Sequence, residues 1–128
     1  MKRSLAILLG LGFLALGIDM LADPLGWYRA TPGVSGTGPF NPHFVTDIAL
    51  AFAASGALWL GAASLPSRRA GLAAGASLWP ALHAGYHVVE WAQHGLPRGN
   101  ALWAEGLGVV VVAAVSLGLA VAMFRERT

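Results

Sequence analysis

Three histidines and a glutamate stand on one helical face of this chain. They are His83, His87, Glu90 and His94, spaced i, i+4, i+7 and i+11 inside an apolar segment. At about 100° per residue, the four fall within roughly a 60° arc. Ionisable side chains are costly in a bilayer-spanning helix and usually mark a site. Imidazole combined with carboxylate suits zinc, iron or copper and disfavours calcium or magnesium. The same ladder is also what a proton path would use.

Other segments carry matching groups. Asn41-Pro42 reads as a helix start, with Asn as N-cap and Pro at the first helical position. His43 and Asp47 then follow at i, i+4 and share a face. Asn100 is a second candidate cap, which sets Glu105 about 7–8 Å into its helix. Asp19 sits in the last turns of the first apolar run. Every long segment thus offers an acid or a histidine to one layer near the same end. The expected metal ligands are His43, Asp47, His83, His87 and Glu90, with Glu105, Asp19 and His94 as outlying members. Tyr86 and Gln93 are candidates to fix imidazole tautomers, and Pro80 should kink the helix one turn before His83.

Each group also has a plainer reading. His94 suits a helix C-terminus at the interface, while Asp47 and Glu105 suit helix N-termini. Glu105 is within reach of Arg98 in sequence, and Asp19 could pair with Arg29 or cap the following loop. His43 alone would be an interface residue. For His83, His87 and Glu90 the alternative is interhelical hydrogen bonding, worth about 0.6–2 kcal/mol per contact. Dinuclear iron or manganese bundles use a Glu-x-x-His motif twice. This chain has only His87-x-x-Glu90, reversed and once, so it shares their donor types and not their motif. Haem ranks lower, because His83 and His87 on one helix cannot clamp one iron from both sides.

The elements that must position these groups follow from composition. Of 128 residues, 56% are hydrophobic and only 11% charged, with mean hydropathy +0.63; a soluble domain carries about 25% charge. Four apolar runs, 5–21, 44–65, 70–92 and 101–124, each approach the roughly 20 residues that cross a bilayer core. The fold class expected is an all-α antiparallel four-helix transmembrane bundle, a single domain over 1–128. The first run could be a signal peptide, but Asp19 interrupts its end and no small-x-small cleavage site follows. Cysteine is absent, which excludes disulfides and thiolate sites.

Charge placement sets the expected orientation. Of the eight basic residues, Lys2, Arg3, Arg68, Arg69, Arg125 and Arg127 lie at the ends facing one side, and only Arg29 and Arg98 at the other. The positive-inside rule puts both termini in the cytoplasm, in a bacterial inner membrane. The high pI of 9.7 reflects these anchors; no basic stripe interleaved with aromatics points to nucleic acid. Gly71-x-x-x-Gly75 and the Ala/Gly density of the later runs suggest close helix packing.

The connection from Ala22 to Pro42 holds four prolines, four glycines and the pair Trp27-Tyr28 between its ends. It cannot be one helix or strand throughout and is expected to form a structured cap. Its residues Trp27-Tyr28, Pro32-Gly33-Val34 and Thr37-Gly38-Pro39-Phe40-Asn41-Pro42-His43-Phe44, with Asp47 and the later His83 and His87, resemble a family of small uncharacterised bacterial four-helix membrane proteins. The resemblance covers about a third of the chain. It implies the architecture and no activity.

Three functions fit these observations. The first is a membrane metalloprotein with a His/carboxylate transition-metal site, an oxidoreductase acting on a lipophilic substrate. The second is an accessory subunit of a larger respiratory or photosynthetic complex, its polar layer structural, as a homo-oligomer or with other subunits. The third is a proton or metal-ion conduit. Gly-x-Ser-x-Gly, phosphate-loop and His-Glu-x-x-His motifs are absent, as is any internal repeat.

Overall fold

A computed structural model describes residues 1–127, with side chains through residue 126. The Arg127 side chain, expected among the basic anchors, lies outside the described residues. Every regular element described is helical. We label the helices α1 (Lys2–Ala22), α2 (Pro24–Ala30), α3 (Pro42–Ser64), α4 (Arg69–His94) and α5 (Asn100–Phe124). Three of them, α1, α3 and α5, are long and apolar enough to cross a membrane. Helix α4, with 26 residues, extends about 39 Å at 1.5 Å per residue. It falls short on apolarity instead of length, because His83, His87, Glu90, Gln93 and His94 crowd its second half.

Packing begins where side chains are smallest. Helix α1 lies against α3 so closely that a Cβ added to Gly17 would sit 2.7 Å from the Ala49 carbonyl oxygen. One added to Gly56 would sit 2.7 Å from the carbonyl oxygen of Gly10. Without a hydrophobic drive between helices in lipid, such backbone approach supplies the van der Waals attraction. The expectation for Gly71-x-x-x-Gly75 is corrected here: a Cβ on Gly71 would meet nothing within 4 Å, and one on Gly75 only the Leu58 side chain. The close-packed glycines are on the first two long helices.

One stripe of α3, comprising Val45, Ala49, Phe52, Gly56, Trp59 and Ala63, is buried. Phe52 stacks on Phe13 of α1 with ring centroids 5.8 Å apart. Trp59, fully buried, donates its indole N–H to Ser116 Oγ of α5 at 3.1 Å. Helix α4 packs between α3 and α5. Its Pro80 is buried within the helix, where the ring removes the N–H that would bond the Ala76 carbonyl.

Salt bridges close one end of the molecule. Lys2 at the start of α1 meets Glu126, just past α5, at 2.6 Å, and also donates to the Ala122 carbonyl. Arg69, at the start of α4, reaches the other Glu126 oxygen at 3.8 Å. The Lys2 hydrogen bond and charge hold the Glu126 carboxyl below its ordinary value.

The opposite end carries the long connection, which folds into a cap. Asp23 Oδ1 accepts from the Gly26 N–H at 2.9 Å and starts α2, with Pro24 at its first position. The Tyr28 hydroxyl donates to the Gly38 carbonyl, and its ring lies 5.4 Å from that of Phe40. Asn41 caps α3 as its sequence requires, accepting from the His43 and Phe44 N–H groups. Asn100 is not the cap of α5. It is the first helical residue, and Gly99 holds the cap position at φ +60° without a side-chain bond.

Candidate functional site

The donors that converge do so between α4 and α5, near the capped end. His87 Nδ1 lies 3.0 Å from Glu105 Oε2. A carboxylate can only accept, so Nδ1 carries the proton and the neutral ring keeps its lone pair on Nε2. Trp91 donates its indole N–H to the same Oε2 at 2.8 Å. The His87 and Glu105 side chains are only 20% and 22% exposed. One turn toward the middle of α4, the His83 ring meets the His87 ring edge-on at 4.9 Å. On its other side it stacks on Trp79, with centroids 5.3 Å apart and planes 13° apart, and touches Phe52 of α3 edge-on.

Glu105 reaches α4 from an irregular stretch of backbone. Residues Ala104–Val111 of α5 form a π-helix, between α-helical Asn100–Trp103 and Val112–Phe124. Such stretches are rare, mostly single turns, and frequent at functional sites. The loop lies directly over this carboxylate. Gly33, at φ +91°, sits where an added Cβ would be 3.2 Å from the Ala101 Cβ and 3.4 Å from Glu105 Oε1. A side chain there would strain the backbone and crowd the free carboxylate oxygen.

The remaining expected ligands stand apart. His43 and Asp47 pair with each other at 3.4 Å, their side chains 81% and 56% exposed. They do not meet the His83/His87 face as the polar-layer argument required. The buried stripe through Val45 and Ala49 fixes the rotation of α3, and residues two positions away point about 200° from it. Glu90 and His94 likewise pair at 3.6 Å on the exposed rim of α4. Asp19 is exposed near the end of α1. Neither an Asp19–Arg29 nor a Glu105–Arg98 pair forms among the described residues. Tyr86 touches the His87 ring at 6.0 Å but is exposed, as is Gln93. The tautomer partner is Glu105.

Four donor atoms in this cluster have no hydrogen bond among the described residues: both ring nitrogens of His83, His87 Nε2 and Glu105 Oε1. Nearby, the Trp79 indole N–H is buried without a partner. Among the described residues, no three histidine or carboxylate groups are gathered as tightly as a bound metal ion requires. The contacts made are those of a hydrogen-bonded imidazole–carboxylate pair with a second imidazole beside it. Adjacent to it, Trp91, Leu102, Trp103, Gly106, Leu107, Val110 and Val111 line an open apolar groove of about 330 Å³.

Two of these features escape a reading by motif. Trp91 belongs to no ligand motif, although its spacing of i+4 from His87 sets it on the same face. The π-helix has no signal in the sequence. No family model matches the chain, and neither a curated protein nor a solved structure matches it.

Proposed function

We propose that this chain is a membrane metalloprotein, an antiparallel four-helix bundle with α4 as the fourth span. Its centre would use His83 and His87 as imidazole donors, with Glu105 as the carboxylate that orients His87 through Nδ1. The observation that carries this reading is the pair of neighbouring imidazoles, His83 and His87, whose rings lie 4.9 Å apart and whose free nitrogens no protein group among the described residues meets. An imidazole lone pair that no protein donor meets is open to a cation. A carboxylate fixing one imidazole nitrogen while the other stays free is the usual support of a histidine ligand. His43, Asp47, Glu90, His94 and Asp19 are no part of this centre.

Zinc, iron or copper suits these donors, and a bound ion would supply Lewis acidity or redox chemistry. The groove walled by Trp91 gives a lipophilic substrate of an oxidoreductase a place beside the cluster. The basic end faces the cytoplasm of a bacterial inner membrane in this reading, because Lys2, Arg3, Arg68, Arg69 and Arg125 gather there. Between His83 and that end the buried polar side chains are Ser55, Ser77 and Ser116. Among the described residues no titratable ladder continues, which favours a site over a through-membrane conduit.

A second reading, a structural polar layer in an accessory subunit, is favoured by Glu105 already accepting from both His87 and Trp91. Metal analysis of protein purified without chelator separates the two. The metalloprotein should carry about one transition-metal ion per chain, lost in His87→Ala and retained in His94→Ala. Substoichiometric metal in the wild type would overturn the proposal in favour of the accessory subunit.

A further inference from the structure

The basic end holds a second, independent arrangement of charge. Lys2, Arg3, Arg68, Arg69 and Arg125 stand at the ends of α1, α4 and α5, and the acidic side chain described among them is Glu126. That one carboxylate is shared: Oε1 takes Lys2 at 2.6 Å, and Oε2 takes Arg69 Nη1 at the long distance of 3.8 Å. Arg69 is also the least exposed of these arginines, its side chain 29% exposed. Its Nε–H is buried and finds no acceptor among the described residues.

A guanidinium presents a planar fork of donors that matches phosphate oxygens in pairs. Here the fork is held at a helix junction with one arm loosely engaged by Glu126 and the Nε donor unmet. Basic pockets between helix ends on the cytoplasmic side are suited to anionic lipid headgroups. We propose that the junction of α1, α4 and α5 binds the phosphodiester of an anionic phospholipid, with Arg69 as the anchoring residue and Lys2 as its neighbour. The lipid's oxygens meet the exposed part of the Arg69 guanidinium, which Glu126 engages only at 3.8 Å, and a small turn of the fork toward them brings the unsatisfied Nε–H to an acceptor. The acyl chains then run along the apolar faces of the same helices, which a free phosphate cannot do. This site needs the bundle to span a bilayer and needs no metal.

The test uses the full chain in nanodiscs, comparing zwitterionic phosphatidylcholine with a mixture containing anionic phosphatidylglycerol. Native mass spectrometry should find phosphatidylglycerol retained preferentially on the wild type. Arg69→Gln should weaken that retention about fivefold, the worth of one cation near an anionic surface. Arg98→Gln, at the opposite end, should leave it unchanged. Arg69→Lys keeps the charge and removes the Nε donor, so it should also retain less lipid than the wild type. Equal retention of both lipids by the wild type overturns the proposal even if the glutamine variant fails to fold. Equal losses in Arg69→Gln and Arg98→Gln would reduce it to general surface charge. If inorganic phosphate in detergent displaces the lipid completely at comparable concentration, the site is for free phosphate and the lipid proposal fails.

Discussion

The interface of α1 with α3 and that of α4 with α5 are built on opposite terms. The first is dry and tight, with glycines pressed on carbonyl oxygens at Gly10, Gly17 and Gly56. The second holds the His87–Glu105–Trp91 cluster, a π-helical stretch and an open apolar groove. On α5 a Cβ at Gly106, Gly108 or Gly118 would meet nothing within 4 Å. Glycine therefore plays different parts in the two places. In one it permits helix contact; in the other it leaves the helix surface uncrowded. The contrast sets tight backbone packing on one side of the molecule and the polar cluster with its groove on the other.

The largest effect should come from forcing the tight interface apart. Gly56→Val pushes a branched side chain onto the Gly10 carbonyl and the Leu14 backbone, and should cost about 3 kcal/mol in reversible unfolding. A loss near zero would mean that this contact does not anchor the fold. Next, His87→Ala at the second interface should remove bound metal. It should cost about 1–3 kcal/mol by stripping Glu105 of a partner, with the helices intact by circular dichroism. If the proposed centre is present, acidification should release the metal, because protons compete with it for the imidazole lone pairs.

Trp91→Phe keeps the ring and deletes the N–H bond to Glu105, so a stability loss of about 1 kcal/mol is expected. Gly12→Ala sharpens the comparison from the other direction. It lies on α1 beside Gly10, but its Cβ would meet nothing within 4 Å; it should stabilise the helix by about 0.5–1 kcal/mol. The smallest effect concerns the salt-bridged end. Glu126 has its carboxyl lowered from the ordinary 4.5, first by the Lys2 hydrogen bond. A depressed folded value gives stability that is present above pH 4.5 and lost as pH falls through the lowered value. Lys2→Gln should remove most of that dependence by slightly lowering the unfolding midpoint above pH 4.5 while leaving the midpoint below the lowered value unchanged, as read by pH-resolved melting.

The sequence showed the long helices because apolar runs of spanning length have few other uses. It showed the α3 cap because Asn-Pro acts locally. Asp23-Pro24 is the same kind of local signal for α2, set within a segment whose proline and glycine content otherwise indicates loop. His43 and Asp47 illustrate a different limit. Their i, i+4 spacing shows that they share a face, but only the buried stripe from Val45 to Ala63 says which way that face turns. Glu105 is hard to read from sequence because a lone carboxylate near a helix start looks like a dipole partner. Its true neighbours depend on how two helices lie side by side, which no local pattern states.

The π-helical stretch has one more consequence. Turns closed by i→i+5 bonds hold more residues than α-turns, so the residues after Val111 are out of phase with those before Ala104. One helix can then present two bearings along its length. The upper part aims Glu105 at α4, while the lower part aims Ser116 at Trp59 of α3. A straight α-helix of the same sequence would have to give up one of these bearings to keep the other.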